Sequence, residues 1–449
     1  MMRLDRLIRV IGGRPDGTPG TREAGGVSVD TRTLRPGDVF FALRGSRFDA
    51  HDFVPEAFER GACAAVVERP VGAAGGLQVI VEDAGAALGE LAAAWRMALG
   101  ARVVGITGSN GKTTTKEMIG SLLGADRRGV RARGSFNNFV GLPLTILEAR
   151  PGDAFLVLEI GTNHPGEIAR LGRIARPDVA VITNVGASHL EGLGTIEGVA
   201  EEKASLLGCL RAGGVGIVHE DPRLLRRIPL PRNRVRTFGA SAGADFFPER
   251  VEARPGAGTR FSVRGVEFHL GLLGEWNVLN ALAACAVADA FGIPLAECAR
   301  RLEGFRGPRM RMERLEVGGL TVINDAYNSN PESASRAILE FSRLPARGRK
   351  VAVIGDMLEL GASTEAFHRL LGRQLAAGGV DVVAAVGPAC RALLEELPPG
   401  RPERYGFDSV EGLRPRIGEL FRPGDLVLLK GSRGMGLERL IPWISGRVA

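Results

Sequence analysis

The chain has 449 residues, of which 45% are hydrophobic and 24% are charged, and its formal net charge is +7. This length exceeds that of one ordinary domain and predicts two to four, with ample apolar material for their cores. The basic residues are scattered without a long run and only 5% of the residues are aromatic, so nucleic acid is not an expected partner. A basic proteome or an acidic small-molecule substrate accounts for the charge better.

The cysteines and the first residues predict a reducing compartment. The five cysteines are odd in number, widely spaced and never arranged as Cys-x-x-Cys, so free thiols are expected rather than disulfides or a metal site. Charges interrupt residues 1–10, which is not typical of a signal peptide, and no uncharged apolar stretch reaches the ~18 residues of a membrane helix. We therefore expect a cytoplasmic protein without a membrane span.

The first region of the chain predicts a small N-terminal α/β domain over residues 1–84. Short β-like runs cover 38–43, 64–67 and 78–81, with a helix-compatible stretch over 54–60. A helix predicted over 86–99 then leads into the second region.

A glycine-rich loop over residues 105–115, Gly-Ile-Thr-Gly-Ser-Asn-Gly-Lys-Thr-Thr-Thr, is the most informative segment of the sequence. It follows a short apolar run and precedes a helix predicted over 116–123, so it predicts a phosphate cradle in which Lys112 reaches the terminal phosphates and Thr113 binds Mg²⁺. The chain contains only five lysines among 58 basic residues, and a lysine kept here favours phosphate binding. The general P-loop pattern places its first glycine where Ile106 stands, so a plain glycine-rich turn is the alternative.

The rest of the second region predicts a central, mostly parallel-sheet ATPase domain of P-loop type over residues 85–310. Near-continuous apolar runs at 155–160 and 179–182 are typical of strands buried on both faces. Helices are predicted over 199–210 and 275–291, and short antiparallel strands between 245 and 270.

Three side chains at strand ends, or on the helix that follows, suggest metal chemistry in this central region. Glu159 ends a buried strand and is a natural Mg²⁺ ligand, whereas His189 is a less usual one and would more often be structural. Lys203 follows two glutamates on a helix, where a solvated lysine paired with glutamate is the ordinary interpretation. A lysine amine can also add CO₂, and the resulting carbamate could bind a second Mg²⁺.

Asn277 and Asn280 lie three residues apart on a predicted helix and therefore share one face. Their carboxamides offer a donor and an acceptor suited to the edge of adenine. An N-cap followed by one polar helix position is an equally good explanation of the pair.

The third region, residues 311–449, predicts a Rossmann-like domain. Strands are expected at 320–324, 351–354, 382–386 and 426–429, and helices at 333–341 and 366–376. Ligands bind at the carboxyl ends of strands in such sheets, and two polar segments lie there. The first is the cluster 324–331, Asn-Asp-Ala-Tyr-Asn-Ser-Asn-Pro, and the second is 429–435, Leu-Lys-Gly-Ser-Arg-Gly-Met, which suggests an anion clamp.

Together these segments resemble the ATP-dependent Mur ligases of peptidoglycan precursor synthesis over nearly the whole chain. Segments 186–192 and 327–331 carry the specific resemblance, 430–435 supports it, and 135–145 is similar to the family's substrate loop. The order Asp325-Ala326-Tyr327-Asn328 differs from the Asp-Tyr-Ala-His of the sister ligase that adds the third residue. It favours the dipeptide-adding member, which joins D-alanyl-D-alanine to UDP-N-acetylmuramoyl-tripeptide through an acyl phosphate.

The resemblance implies a full set of site residues. For catalysis it implies Lys112, His189 and Lys203. For ATP it implies Gly108, Asn110, Gly111, Lys112, Thr113, Thr114, Asn277, Asn280, Arg309 and Asp325. For two Mg²⁺ ions it implies Thr113, Glu159, His189 and carbamylated Lys203. For the two substrates it implies Thr31, Arg32, Asn137, Asn138, Thr162, Asn328, Asn330, Lys430 and Ser432. It also implies a monomer whose C-terminal domain closes over the site.

Two departures and two rival hypotheses accompany the resemblance. Ala50 replaces a family glycine, and Trp276 stands where family members commonly have histidine. A folate-type polyglutamylating ligase is one rival, but the Asp30-Thr31-Arg32 segment, similar to the family's uridine motif, argues against it. A nucleotide-regulated binding protein is the other, and it would be expected to lose one of the proposed catalytic or metal residues.

Overall fold

The computed structural model describes residues 2–45, 48–72 and 75–446. Its N-terminal part has a five-stranded sheet of order β2-β7-β6-β5-β4, parallel except for the β2–β7 pair, and a two-stranded ribbon formed by β1 and β3. The elements are β1 (Met2–Arg3), α1 (Leu4–Val10), β2 (Arg14–Pro15), β3 (Glu23–Ala24), β4 (Val27–Ser28), β5 (Val39–Phe41), α2 (Val54–Glu59), β6 (Ala64–Val67) and β7 (Gln78–Ile80).

The central part is built on a six-stranded parallel sheet of order β13-β12-β11-β8-β10-β9. The P-loop strand β8 lies inside it, between β11 and β10, so the loop opens at the carboxyl edge of the sheet. The elements are α3 (Ala84–Ala98), β8 (Arg102–Thr107), α4 (Lys112–Gly124), β9 (Gly129–Arg131), α5 (Gly141–Glu148), β10 (Phe155–Glu159), α6 (Glu167–Ala175), β11 (Val179–Ile182), α7 (Leu190–Leu193), α8 (Ile196–Ala204), β12 (Val215–His219), α9 (Pro222–Leu225) and β13 (Val235–Phe238).

A three-stranded antiparallel sheet and two helices complete the central part, as the turn-rich sequence there predicts. Helix α10 packs against α4, which starts at the P-loop, so its first turn is held beside the loop. The elements are β14 (Arg250–Arg254), β15 (Gly258–Val263), β16 (Val266–Leu270), α10 (Trp276–Ala290) and α11 (Leu295–Glu303).

The C-terminal part has a six-stranded sheet of order β17-β18-β22-β19-β20-β21. Only the β17–β18 pair is antiparallel, so the carboxyl ends of β18 and β22 meet at one edge. The elements are β17 (Glu313–Val317), β18 (Leu320–Asp325), α12 (Pro331–Arg343), β19 (Lys350–Gly355), α13 (Thr364–Ala377), β20 (Val382–Val386), α14 (Cys390–Glu395), β21 (Glu403–Phe407), α15 (Val410–Leu413), α16 (Ile417–Leu420), β22 (Leu426–Lys430) and α17 (Leu440–Ser445).

The predicted fold class, three α/β units with a P-loop sheet in the middle and a Rossmann-like sheet at the end, is confirmed. The boundaries at 84/85 and 310/311 stay a prediction. One continuous apolar core runs from Met2 to Val235 through the first two parts, whereas Leu273 and Trp276 of the central part pack into the core of the third.

Several local predictions need correction. The helix predicted over 199–210 is α-helical only to Ala204 and continues as a 3-10 turn over Ser205–Cys209. The hydroxyl of Ser205 donates to the Glu202 carbonyl at 2.6 Å and competes for an acceptor of the helical ladder.

All five cysteines are free, as predicted, but Cys63 and Cys209 are only half-buried. None of the helices described is both long and apolar enough to span a membrane.

Candidate active site

The loop after β8 has the backbone of an anion cradle, which its glycines make possible. Gly108 has φ +148°, and a Cβ on it would lie 1.8 Å from the Thr183 hydroxyl oxygen. Gly111 has φ +79° at the N-cap of α4, and a Cβ there would lie 2.2 Å from the Asn280 side-chain oxygen. Glycine therefore lets the loop pack closely against Thr183 and Asn280, while Gly111 and Lys112 at the helix N-terminus line a cavity. Lys112 folds over the loop and donates to the Gly108 carbonyl at 2.7 Å.

Glu159 lies at the end of β10 beside this loop, only 2% exposed, with both carboxylate oxygens held. Thr113 Oγ1 donates to Oε2 at 3.0 Å, and Asn137 Nδ2 donates to Oε1 at 3.0 Å. Lys116 Nζ lies 3.8 Å from Oε2 and was not singled out by the sequence analysis. A hydroxyl and a carboxylate side by side are the hard oxygen donors that Mg²⁺ prefers.

Lys203 does not behave as the solvated surface lysine that its sequence context suggests. It lies on α8 and is 1% exposed. Burial and the nearby positive charge of Lys112 lower the pKa of Lys203 to about 7. The negative charge of the adjacent Glu202 opposes this shift only in part. Glu202 itself is occupied elsewhere, since it accepts from the N–H groups of Gly166 and Ile168 at 2.7 and 2.8 Å.

His189 lies just after β11 in the left-handed region, with φ 53°, which a non-glycine residue rarely adopts. Its Nδ1 is 2.8 Å from Oε2 of Glu359, a residue of the C-terminal part. The pairing with the imidazole holds the pKa of Glu359 below its usual range. Sequence reasoning missed Glu359 because it follows β19 in a loop without a motif.

The N-terminus of α12 covers the P-loop. Asn330 caps this helix by accepting from Ser333 N at 2.9 Å, and its Nδ2 donates to Asn110 Oδ1 at 2.8 Å. Asn110 Nδ2 in turn donates to Glu332 Oε2 at 2.8 Å, and Arg336 holds the other oxygen of Glu332 at 2.6 Å. Asn110, which the resemblance assigns to ATP, and Asn330, which it assigns to a substrate, thus contact each other across the interface between the central and C-terminal parts.

Asn277 and Asn280 line a cavity that opens on the P-loop residues Gly111 and Thr114 and on Trp276. Asn280 Nδ2 donates to Asn277 Oδ1 at 2.9 Å, and Thr115 Oγ1 donates to Asn280 Oδ1 at 3.3 Å. The predicted common face is therefore present, and the indole of Trp276 forms part of the cavity wall.

Lys430 and Ser432, the predicted anion clamp, mainly brace the neighbouring loops. Lys430 is 1% exposed and its Nζ lies 2.9 Å from Asp325 Oδ2 and donates to the Asn328 carbonyl at 2.6 Å. The Ser432 hydroxyl accepts from Leu358 N at 2.9 Å. Lys430 and Asp325 still line the Asn277 cavity. Ser432 lines a second cavity, in front of the P-loop residues 109–112.

Arg311 occupies the place for which the sequence suggested Arg309. Three cavities surround the P-loop: the Asn277 cavity, the one in front of the loop, and a third between the central and C-terminal parts. Arg309 is exposed and lines none of them. Arg311 lines all three, its guanidinium carbon lies 4.2 Å from the centre of the Tyr327 ring, and its Nε is buried without a partner among the described residues. The two arginines are two residues apart in a turn, where the residue between them, Met310, has φ 58°, and Arg311 is the one that packs on Tyr327.

The third cavity, of about 350 Å³, joins the central and C-terminal parts. Its volume falls in the usual range of about 300–1,000 Å³ for small-molecule sites. From the central part it is lined by Lys112, Asn137, Asn138, Glu159, Thr162 and His189, and from the C-terminal part by Tyr327, Asn328, Glu359 and Arg433. Asn138 also accepts from Gly141 N at 2.9 Å at the start of α5, and Thr162 Oγ1 donates to the His164 carbonyl at 2.9 Å.

Thr31 and Arg32 are not among the residues that line these cavities. They lie in a 3-10 turn of the N-terminal part, where Asp30 accepts from Arg32 N at 2.9 Å and pairs with its guanidinium at 2.7 Å. His51, in the segment similar to a second family motif, is 1% exposed and accepts from Glu68 N at 2.9 Å, so it supports the fold there.

The fold and the site define a P-loop nucleotide-binding protein in which a C-terminal Rossmann-like unit covers the phosphate loop. Models of three Mur ligase domains match the chain: the Mur ligase family catalytic domain at 23–96, the middle domain at 106–288 and the glutamate ligase domain at 310–433. The chain belongs to the Mur ligase family.

Curated relatives agree over nearly the full length. The UDP-N-acetylmuramoyl-tripeptide–D-alanyl-D-alanine ligase of Bacillus subtilis (strain 168) is 39% identical and covers 93% of this chain and 92% of its own length. The enzyme of the same name from Escherichia coli (strain K12) is 34% identical over 98% of this chain and 97% of its own.

Solved structures agree as well. A crystal structure of MurF from Acinetobacter baumannii has a TM-score of 0.89 at 32% identity and covers 99% of both chains. The MurF ligase of Thermotoga maritima in complex with ADP has a TM-score of 0.81 at 31% identity, over 94% of this chain and 97% of its own.

Proposed function

We propose that this enzyme joins D-alanyl-D-alanine to UDP-N-acetylmuramoyl-tripeptide, with hydrolysis of ATP to ADP and phosphate. The observation that carries the proposal is the shared cavity, in which Lys112 of the phosphate loop and Asn328 of the C-terminal part line one space. A phosphoryl donor and a second substrate could meet there. The identity of the substrates rests on similarity to relatives that carry this name over more than nine-tenths of the chain.

The reaction needs activation because a carboxylate is a poor acyl donor. The terminal carboxylate of the tripeptide attacks the γ-phosphate of ATP, and an acyl phosphate and ADP form. The free amine of the dipeptide then attacks the acyl carbon, a tetrahedral oxyanion forms, and phosphate leaves as the amide bond is made. Lys112 and Arg311 face the developing negative charge, and both are contributed to the same cavity.

Thr113 and Glu159 fit a Mg²⁺ ion, since their oxygens already lie 3.0 Å apart at the end of the phosphate loop. When bound, the ion would supply charge neutralisation at the ATP phosphates. His189, the third ligand implied for the ions, lines the same cavity as Glu159, and Glu359 holds its ring.

Lys203 fits a second ion only in a modified form. Its buried amine, with a pKa of about 7, is neutral often enough near physiological pH to add CO₂. The product is a carbamate anion with two oxygens, whereas a protonated lysine would repel a cation. A second Mg²⁺ bound by carbamylated Lys203 is therefore part of the proposal.

The remaining assignments follow the same model. The proposal assigns residues 1–84 to the UDP end through Thr31 and Arg32, residues 85–310 to ATP, and residues 311–449 to the dipeptide. The proposal also places the enzyme in the cytoplasm, because ATP and nucleotide-linked substrates are found there. It further makes the enzyme a monomer.

The decisive experiment measures ADP release from purified protein with UDP-N-acetylmuramoyl-tripeptide, with and without D-alanyl-D-alanine, alongside Lys112→Ala as the inactive control. We expect turnover only with both substrates and loss of turnover in Lys112→Ala, which should still bind the UDP substrate in calorimetry. Glutamate-dependent turnover with a folate would support the polyglutamylating rival. ATP turnover that is indifferent to both substrates would overturn the proposal.

A further inference from the structure

The cavity shared by the central and C-terminal parts contains more cationic groups than the transfer of a phosphate requires. Lys112, His189, Arg311 and Arg433 all line it. The first three already have assignments: Lys112 belongs to the phosphate loop, His189 pairs with Glu359, and Arg311 also reaches the cavity lined by Asn280. Arg433 does not line that cavity, although it borders the cavity in front of the phosphate loop together with Lys112 and Arg311, and it is the one side chain of this group to which the proposed function gives no role.

Arg433 is presented by rigid elements of the C-terminal sheet. It stands three residues after β22, in a 3-10 turn that runs from Arg433 to Met435. Tyr327 follows the neighbouring strand β18, and the register of the two strands aligns Asp325 with Lys430 at their carboxyl ends. The backbone that carries Arg433 therefore begins at the ends of two adjacent parallel strands.

Tyr327 is near both Arg311 and Arg433. The guanidinium carbon of Arg311 lies 4.2 Å from the ring centre, and that of Arg433 lies 5.8 Å from it. Two guanidinium groups therefore line the shared cavity, and each could pair with a different anion. The reaction has two anions at this point, the acyl phosphate and the free carboxylate of the incoming dipeptide.

The contacts of Arg433 leave one edge of its guanidinium open. Nη1 lies 3.1 Å from Glu438 Oε1 and 3.2 Å from Met310 Sδ. Within the described ranges, Nε and Nη2 make no hydrogen bond, and the side chain is 55% exposed. Glu438 thus orients the group, and its Nε–Nη2 edge is free for the paired hydrogen bonds that a carboxylate accepts.

We propose that Arg433 binds the free carboxylate of the incoming acceptor peptide and so determines that the acceptor is a peptide with an unblocked C-terminus. The inference rests on the proposed function. An extended dipeptide spans roughly 7 Å, so its amine can lie at the acyl phosphate while its carboxylate reaches a second cation of the same cavity, Arg433. The carboxylates of Glu159, Glu167 and Glu359 also line the cavity, and an acceptor carboxylate needs a local cation among them.

The test compares two acceptors, D-alanyl-D-alanine and D-alanyl-D-alaninamide, whose neutral amide replaces the carboxylate. For the unchanged enzyme we expect kcat/KM to be roughly 10- to 100-fold lower with the amide, as for the loss of a charge-assisted pair. For Arg433→Ala we expect a similar fall with D-alanyl-D-alanine and little further difference between the two acceptors. KM for the UDP substrate and for ATP should stay within about twofold in this variant, and because Arg433 also borders the cavity in front of the phosphate loop, a rise in KM for ATP without a change in acceptor preference would assign Arg433 to the phosphates and overturn the inference.

Two further variants make the result unambiguous. Arg433→Lys keeps the charge but not the paired geometry, so it should recover part of the preference for the carboxylate. Arg416→Ala, which removes an exposed arginine paired with Glu419 at 2.6 Å outside the cavity, should leave the preference unchanged. The ratio of the two acceptors is measured within each variant, so partial misfolding does not alter it.

Each outcome has a separate meaning. If Arg433→Ala retains the preference for the free carboxylate, the inference is wrong and the proposed ligase activity stands. If the unchanged enzyme releases no ADP with either acceptor, the proposed function fails, and the inference fails with it.

Discussion

Lys203 is one of five lysines in the chain, and its surroundings give it a chemistry that an exposed lysine lacks. Burial removes the amine from water and Lys112 adds like charge, so the pKa of Lys203 falls to about 7 from an ordinary value of 10.5. CO₂ adds to the neutral amine, not to the ammonium ion. The neutral fraction rises as the pH rises through about 7 and is lost as the pH falls below it.

We expect protein labelled with ¹³C-bicarbonate to show a carbamate carbon in NMR spectra, which weakens as the pH is lowered through about 7. The signal should be absent from Lys203→Ala, and short carboxylic acids should restore part of the activity of that variant by replacing the missing anion. The control is Lys350→Ala, since Lys350 lies at the start of β19 and contacts the Ser342 carbonyl, away from the site. Full activity of Lys203→Ala without added acid would contradict a carbamate.

At the scale of elements, helix α12 combines a structural and an interfacial role in its first turn. Asn330 and Ser333 form a reciprocal capping box, with N–O distances of 2.9 and 3.1 Å. The same Asn330 side chain uses its Nδ2 to reach Asn110 in the phosphate loop. A single carboxamide therefore caps the helix with its oxygen and connects two parts of the protein with its nitrogen.

Substitution of Asn330 should separate these two roles. Asn330→Asp keeps the capping oxygen, so the melting temperature should change little, but it removes the donor to Asn110 and places negative charge beside the phosphates. We expect KM for ATP to rise by roughly tenfold, as for the loss of about 1.4 kcal/mol of binding. Asn330→Ala should also lower the free energy of unfolding by about 1 kcal/mol. Calorimetry and ATP titrations check both, and equal KM values in the two variants and the unchanged enzyme would exclude the interfacial role.

The edges of the C-terminal sheet show why some strands were not predicted. The central strands β18, β19, β20 and β22 are nearly continuous apolar runs, because both faces are covered by helices. Strands β17 and β21 occupy the two edges, each begins with Glu-Arg, and none of their residues is fully buried. Charged edge strands lack the signal of a buried strand, and their pairing depends on a neighbour supplied by the fold.

At the scale of the whole molecule, Arg96 joins helix α3 to the central sheet. It is completely buried and pairs with Asp178 Oδ2 at 2.7 Å, and it donates to the carbonyls of Ala175 and Arg176 at 3.0 and 3.1 Å. Asp178 Oδ2 also accepts from Val103 N at 2.8 Å, at the start of the strand that leads to the phosphate loop. Because α3 belongs to the core shared with the N-terminal part, this arginine connects that part to the P-loop sheet.

We expect Arg96→Met to lower the free energy of unfolding by about 3 kcal/mol, because it removes the guanidinium that neutralises Asp178 and takes a buried donor from the carbonyls of Ala101, Ala175 and Arg176. Arg211 provides a matched control, since it reaches Asp178 Oδ1 at 3.5 Å from a position that is 41% exposed. Arg211→Met should cost less than about 1 kcal/mol. Denaturant unfolding measures both, and equal losses for the two variants would contradict the importance of the buried pair.

The phosphate loop, the parallel strands beside it and the polar segments at strand ends could be predicted from the residues alone, because they depend on local periodicity and on residue types that few other structures require. Lys112, Thr113 and Glu159 were predictable for that reason, and the structure places them together. The folded chain was needed to show which of two nearby arginines lines the site, that Lys203 is buried, and that Glu359 and Glu332 contact the central part. These depend on the side chain's neighbours from distant segments, on burial and on packing between domains, and none of them leaves a periodic pattern in the chain.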